Sequence, residues 1–178
     1  MTRHTVGFLA LALLACICCA GCKQKLQKDP AAQAALSSLQ TVQSKLDVRV
    51  PYIGYLDSVA SANSAVNEYL SSESAKRHVA FGHAVQDSLK WYKAGADMWQ
   101  MDFKRDFLSG KCDSNFESYQ VKNLCGAFPE LVEYKADPSA SVSGNEMHHV
   151  LVWSSARRSA WDRADNALDA AKRLSLSE

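Results

Sequence analysis

The sequence predicts an all-α protein, an elongated antiparallel bundle of three or four helices with an irregular lobe over residues 111–144. Three observations carry this. Apolar residues recur at spacings of four and three, most strongly at Phe81, Val85, Leu89, Tyr92, Ala96, Trp99, Phe103 and Phe107, which places them on one face of a helix. Polar stretches rich in capping residues separate the periodic segments, and no strand or hairpin signal competes with them. Between 111 and 144 the period is lost among Asp113, Asn115, Asn123, Gly126, Pro129, Pro138 and the Ser-rich run 139–144.

Asp29-Pro30 opens the first helix, with Asp as N-cap and Pro at the first helical position. Leu36, Leu39, Val42 or Gln43, and Leu46 carry it to about residue 49. Pro51 interrupts, because its ring clashes with the preceding turn and removes a backbone donor. Ile53, Leu56, Val59, Ala62, Val66 and Leu70 then resume the period, as one kinked helix or two successive ones. Ser71-Ser72-Glu73-Ser74 makes a tight turn, so the next helix, Ala75 to Ser109, runs antiparallel and ends at Gly110. In the lobe, short helices are expected over about 114–123 and 129–136. Asn145 caps a last helix from Glu146 to about Leu174, with Met147, Val150, Leu151, Trp161, Ala164, Leu168 and Ala171 as its apolar stripe.

The amino terminus carries a different pattern. Met1-Thr2-Arg3-His4 has one Arg and no acid, Val6 to Ala20 supply fifteen mostly apolar residues, and Cys19-Ala20-Gly21-Cys22 closes the run. A membrane-spanning helix needs about 20 apolar residues, so this segment fits a secretory signal better than a span. Residues 1–22 resemble a bacterial lipoprotein signal peptide, with Cys19 where the lipobox usually has Leu. The resemblance implies cleavage before Cys22, lipid on its thiol, residues 22–29 as a tether, and one helical domain over 30–178. Since Asp after the lipidated Cys usually retains such proteins in the inner membrane, Lys23 implies the outer membrane, facing the periplasm.

Export also settles the cysteine arithmetic. Cys16, Cys18 and Cys19 leave with the leader and Cys22 is acylated, so Cys112 and Cys125 remain. In an oxidising compartment two thiols thirteen residues apart across a turn-rich segment suit a local disulfide, which would staple the lobe. Closing such a loop stabilises by about 3 kcal/mol in the chain-entropy account.

Removing 21 of the 178 residues leaves 157, with 19 Lys+Arg against 19 Asp+Glu. That length holds one core, and the balanced charge argues against nucleic acid, which needs a basic face. No catalytic constellation is visible: there is no G-x-S-x-G elbow, Walker loop or dinucleotide fingerprint. His78 and His83 diverge by about 140° around a helix, and adjacent His148 and His149 point apart, so no metal site is expected. Met98, Met101 and Met147 could face a histidine across a haem, but methionine at helical spacing is more often core. No cofactor is expected, and no small-molecule ligand.

Aromatic content exceeds what one stripe needs. Trp91 stands at the edge of the Tyr92 stripe, and Trp153 lies off the line of the last helix. With Arg157 and Arg158 they are the candidate anchors for a protein partner, since Trp and Arg dominate binding hot spots. The expected function is therefore a non-enzymatic, lipid-anchored module that binds another periplasmic protein. An immunity or inhibitor lipoprotein that occludes a secreted toxic effector is its most concrete form. The alternatives are a structural component of an envelope or secretion assembly, and a bundle carrying haem, metal or a small ligand.

Overall fold

The computed structural model describes residues 26–104, 111–112, 119–136 and 147–177. They form α1 (Pro30–Asp47), α2 (Tyr52–Leu70), α3 (Glu73–Arg77), α4 (Val79–Lys104), α5 (Tyr119–Ala127), a hairpin of β1 (Val132–Ala136) and β2 (Met147–Leu151), and α6 (Trp153–Ser177). The long helices α1, α2, α4 and α6 run up, down, up and down as a four-helix bundle. Tyr69 near the end of α2 meets Phe81 near the start of α4, while Tyr55 near the start of α2 meets Trp99. On the other side Trp161 meets Trp99 and Asp165 meets Tyr92, so α6 is antiparallel to α4.

Each turn has a local cause. The Asp29 carboxylate accepts from the amides of Ala31 and Ala32 at 3.0 and 3.4 Å, with Pro30 behind it, satisfying donors that the first helical turn leaves free. Helix α1 stops because Arg49 turns left-handed (φ 54°), its amide donating to Leu46 and that of Val50 to Lys45. This is a Schellman closure made without glycine. Pro51 then stands at the N-cap of α2, so the interrupted period at 51 marks two antiparallel helices. Ser72 caps α3 through the amide of Ala75.

The core forms two clusters. The larger joins all four long helices through Leu39, Val42, Tyr55, Val66, Tyr69, Phe81, Val85, Tyr92 and Leu168, all of them buried. Each buried Val, Leu or Phe contributes about 1.5–3 kcal/mol. Helix α6 lines its seam with Ala156, Ala160, Ala164 and Ala171, and these small side chains let α4 lie close along it. The second cluster, Met98, Leu124, Cys125, Phe128, Leu151, Ala156 and Ala160, sits under the lobe.

Several expectations are corrected. The helix predicted from Ala75 begins at Val79, because His78 leaves helical geometry after the short α3. The tether is ordered from Leu26, which is fully buried at the start of a 3-10 turn, Leu26–Lys28. Of the helix expected over 114–123, residues 114–118 lie outside the described residues, and the described helix, Tyr119–Ala127, runs four residues past the expected end. The one expected over 129–136 is a 3-10 turn, Pro129–Leu131, followed by strand β1. The last helix does not start at Glu146, since Met147–Leu151 pairs with β1, Val132 opposite Leu151 and Ala136 opposite Met147. Gly110, Phe107, Asn145 and the Ser-rich run lie outside the described residues, as do the leader and Cys22.

Candidate functional site

The two ends of the bundle differ. The lower end holds Leu26, the α2–α3–α4 turns and the end of α6. The upper end holds the α1–α2 corner, the second half of α4, the start of α6 and the lobe, and most of the polar and aromatic chemistry collects there.

At the upper end α2, α4 and α6 are joined by directional contacts. The Tyr55 hydroxyl donates to the Tyr92 carbonyl at 2.7 Å and accepts from Trp161 Nε1 at 3.0 Å. One turn lower, the Tyr92 hydroxyl donates to Asp165 Oδ1 at 2.5 Å. Trp99 packs at 5.5 Å from both Tyr52 and Tyr55 and at 5.7 Å from Trp161. The Arg157 guanidinium lies 5.2 Å from the Trp99 ring and 5.4 Å from that of Trp161, within cation–π range. Gly95 makes this possible: a Cβ there would fall 2.3 Å from Trp161 Nε1.

Burial sets the ionisation of this group. It pushes the Tyr55 phenol well above its ordinary value, with the Asp165 and Asp97 charges adding and the Trp161 hydrogen bond opposing. Burial, followed by the hydrogen bond to Asp165, does the same to Tyr92. Tyr52 is raised by burial and then by Asp97. Phenols so placed stay neutral and act as hydrogen-bond donors, not as bases.

The lobe is fastened to this end from both sides. Cys112 and Cys125 form the expected disulfide, tying α5 to a segment in which Lys111 bridges Val150 and the Cys112 amide donates to the His149 carbonyl at 2.8 Å. Phe128 is fully buried with its ring 5.5 Å from Trp91. Arg163 of α6 closes over both rings, 4.8 Å from Trp91 and 4.3 Å from Phe128. Its Nη1 donates to the Ala127 carbonyl at 3.0 Å, and its Nη2 lies 3.3 Å from Glu130. Two open grooves flank the lobe. One of about 480 Å³ is lined by Cys112, Cys125, Gly126, Pro129, Val132 and His149. The other, about 350 Å³, lies among Leu131, Ser154, Ser155, Arg158, Ser159 and Asp162.

The four residues expected as partner anchors are therefore placed differently from one another. Trp91 is half-buried, with one side engaged by Phe128 and Arg163, and Trp153 is half-buried against the second cluster. Arg157 is half-buried over Trp99 and Trp161, and Arg158 alone is exposed, in the smaller groove. Among the described residues, the large apolar side chains most exposed at this end are Val48 and Ile53, each 72% exposed. Ile53 begins α2 beside Tyr52, and Val48 ends α1 across the corner. Ile53, expected on the apolar stripe of α2, is corrected to an exposed position, because it lies in the first turn after the break at Pro51, before the core face forms, and Val48 flanks the same break. Phe128, Arg163 and Tyr52 were missed, since contacts more than 30 residues apart leave no local pattern, whereas Gly95 inside a strong helical period marks a close approach.

Among the described residues, no three His, Cys, Asp or Glu side chains converge as a metal site would require, and no helix is long and apolar enough to cross a membrane. No family model matches the chain, and neither curated proteins nor solved structures provide a match.

Proposed function

We propose that the protein is a non-enzymatic, lipid-anchored periplasmic module that binds another protein through the upper end of its bundle. Its most concrete form is an immunity or inhibitor lipoprotein that blocks the cleft of a toxic effector. The observation that carries this reading is the exposure of Val48 and Ile53 on a corner held rigid by the Tyr55–Tyr92–Trp161 hydrogen bonds. Rigid apolar anchors lose little entropy on binding, and the lobe beside them supplies grooves that could receive a partner's side chains. Anchoring rests on the Cys19-Ala20-Gly21-Cys22 sequence and its likeness to a lipobox.

Deleting the gene tests the inhibitor reading. Cells lacking the chain should lyse only while an adjacent effector gene is intact, and the purified full chain should bind that effector one to one and abolish its hydrolase activity. Unimpaired cells together with no complex would refute it. Purification with a constant set of envelope components would replace it with the structural reading, and visible absorbance of the purified protein with a ligand-carrying one.

A further inference from the structure

The lower end of the bundle exposes a second, separate pair of large apolar side chains. Val79 at the start of α4 is 54% exposed and Leu176 near the end of α6 is 73% exposed, although the stripes of both helices otherwise turn inward. Lys28, Lys76, Arg77 and Arg173 are exposed at the same end. Among the described residues the exposed acids towards that end are Glu68, Glu73, Asp87 and Asp169, and Glu73 is paired with Lys76. Asp29 is buried in the cap of α1 and Asp169 is paired with Lys172. The end thus exposes two large apolar side chains together with Lys28, Arg77 and Arg173, which stand outside those two ion pairs, residue types that suit an anionic lipid surface.

The chain itself says which surface can meet this end. Leu26 is fully buried, and its carbonyl accepts from the Asp29 amide at 3.1 Å and from Gln33 Nε2 at 3.3 Å, so the amino-terminal segment leaves the bundle here. Cys22 lies four residues upstream, and four extended residues reach at most about 14 Å. The 26 residues of α4 span roughly 39 Å at 1.5 Å each. A lipid on Cys22 therefore keeps the lower end at a bilayer, whereas the tether itself is too short to draw the upper end there.

We propose that the lower end is a membrane-seating face, in which Val79 and Leu176 enter the headgroup boundary and Lys28, Arg77 and Arg173 meet anionic headgroups, so that the bundle stands with its corner outward. The proposal rests on the reading that Cys22 carries lipid.

The test uses the full acylated chain on vesicles of phosphatidylethanolamine and phosphatidylglycerol. An environment-sensitive dye is attached to Val79→Cys, Leu176→Cys or Ile53→Cys, with the native disulfide kept oxidised. All three proteins should float with the vesicles. Nitroxide lipid should quench the dye at 79 and 176 at least about twofold more than at 53, since interfacial burial reaches only 5–10 Å. Replacing phosphatidylglycerol by phosphatidylcholine, or combining Lys28→Glu with Arg77→Glu, should reduce that difference without abolishing flotation. Flotation with equal quenching at all three positions overturns the seating face and leaves the anchor standing. Failure to float removes the anchor and the seating face with it.

Discussion

The lower and upper halves of this bundle are held together by different physics. The lower half is filled by Ala32, Ala35, Val66, Val85, Leu168 and Ala171 around the edge-to-face pair Tyr69–Phe81. Its energy is mostly area removed from water, which is non-directional. The upper half substitutes tyrosine, tryptophan and arginine, and its contacts have donors, acceptors and fixed approach distances. A core of the first kind tolerates changes of shape at constant volume. One of the second kind loses a satisfied buried polar group whenever a partner is removed. The upper half therefore holds its surface in one geometry, as the proposed binding end requires and the proposed seating end does not.

Four substitutions and one titration probe that contrast. The largest effect is expected at Phe128, which plugs the lobe into the bundle beneath Arg163. Phe128→Ala should cost about 3–5 kcal/mol in chemical denaturation, with α5 amides exchanging hydrogen faster than those of α1. Uniform loss across both halves would show that the lobe and bundle are one cooperative unit. Gly95→Ala comes next. Alanine is the better helix former by about 1 kcal/mol, yet displacement of Trp161 should outweigh this and lower stability by about 1–3 kcal/mol. An increase in melting temperature would show that the contact between α4 and α6 yields without cost.

Tyr55→Phe and Leu168→Met form a matched pair across the two halves. Removing a single oxygen from Tyr55 leaves Trp161 Nε1 without its acceptor and should cost about 1–3 kcal/mol. The volume-conserving change at Leu168 should cost less than about 1.5 kcal/mol. The reverse order would end the distinction between the halves. The smallest effect near neutrality is that of pH. Tyr55 and Tyr92 have folded pKa values raised above the unfolded value, so the unfolded chain releases these protons first. Their contribution is fully present below about pH 10, the ordinary tyrosine value, and is lost as pH rises beyond it towards the folded values. Absorbance of tyrosinate should show both phenols ionising only together with unfolding.

Much of this fold was legible in the sequence. The stripe Phe81, Val85, Leu89, Tyr92 and Ala96 is buried as the period required, Asp29-Pro30 caps α1 as written, and Cys112 and Cys125 are joined. The hairpin was also written, as the alternation Val132-Glu133-Tyr134-Lys135-Ala136, a period-two signal. It was obscured because five residues also fit one helical turn, and because Val150 and Leu151 continue the apolar spacing of α6. The upper end was only partly legible. Trp91 stood at the edge of its stripe, and a stripe diagram cannot say whether such a ring meets solvent or a lobe. Here Phe128 comes from 37 residues away in sequence to cover Trp91. Trp153 does not stand off its helix's line, since 147–151 is a strand and Trp153 falls three residues before Ala156 on the seam of α6. Arg49 gave no signal at all, since glycine is the usual residue at such a closure.

The two ends of the bundle should have different neighbours. Photo-crosslinking in living cells tests this directly, with benzoylphenylalanine placed at Ile53 in one strain and at Leu176 in another, in the full chain. Capture of one protein at 53, with lipid and no protein at 176, is the predicted result. The same protein captured at both positions, or lipid captured at 53, would contradict it.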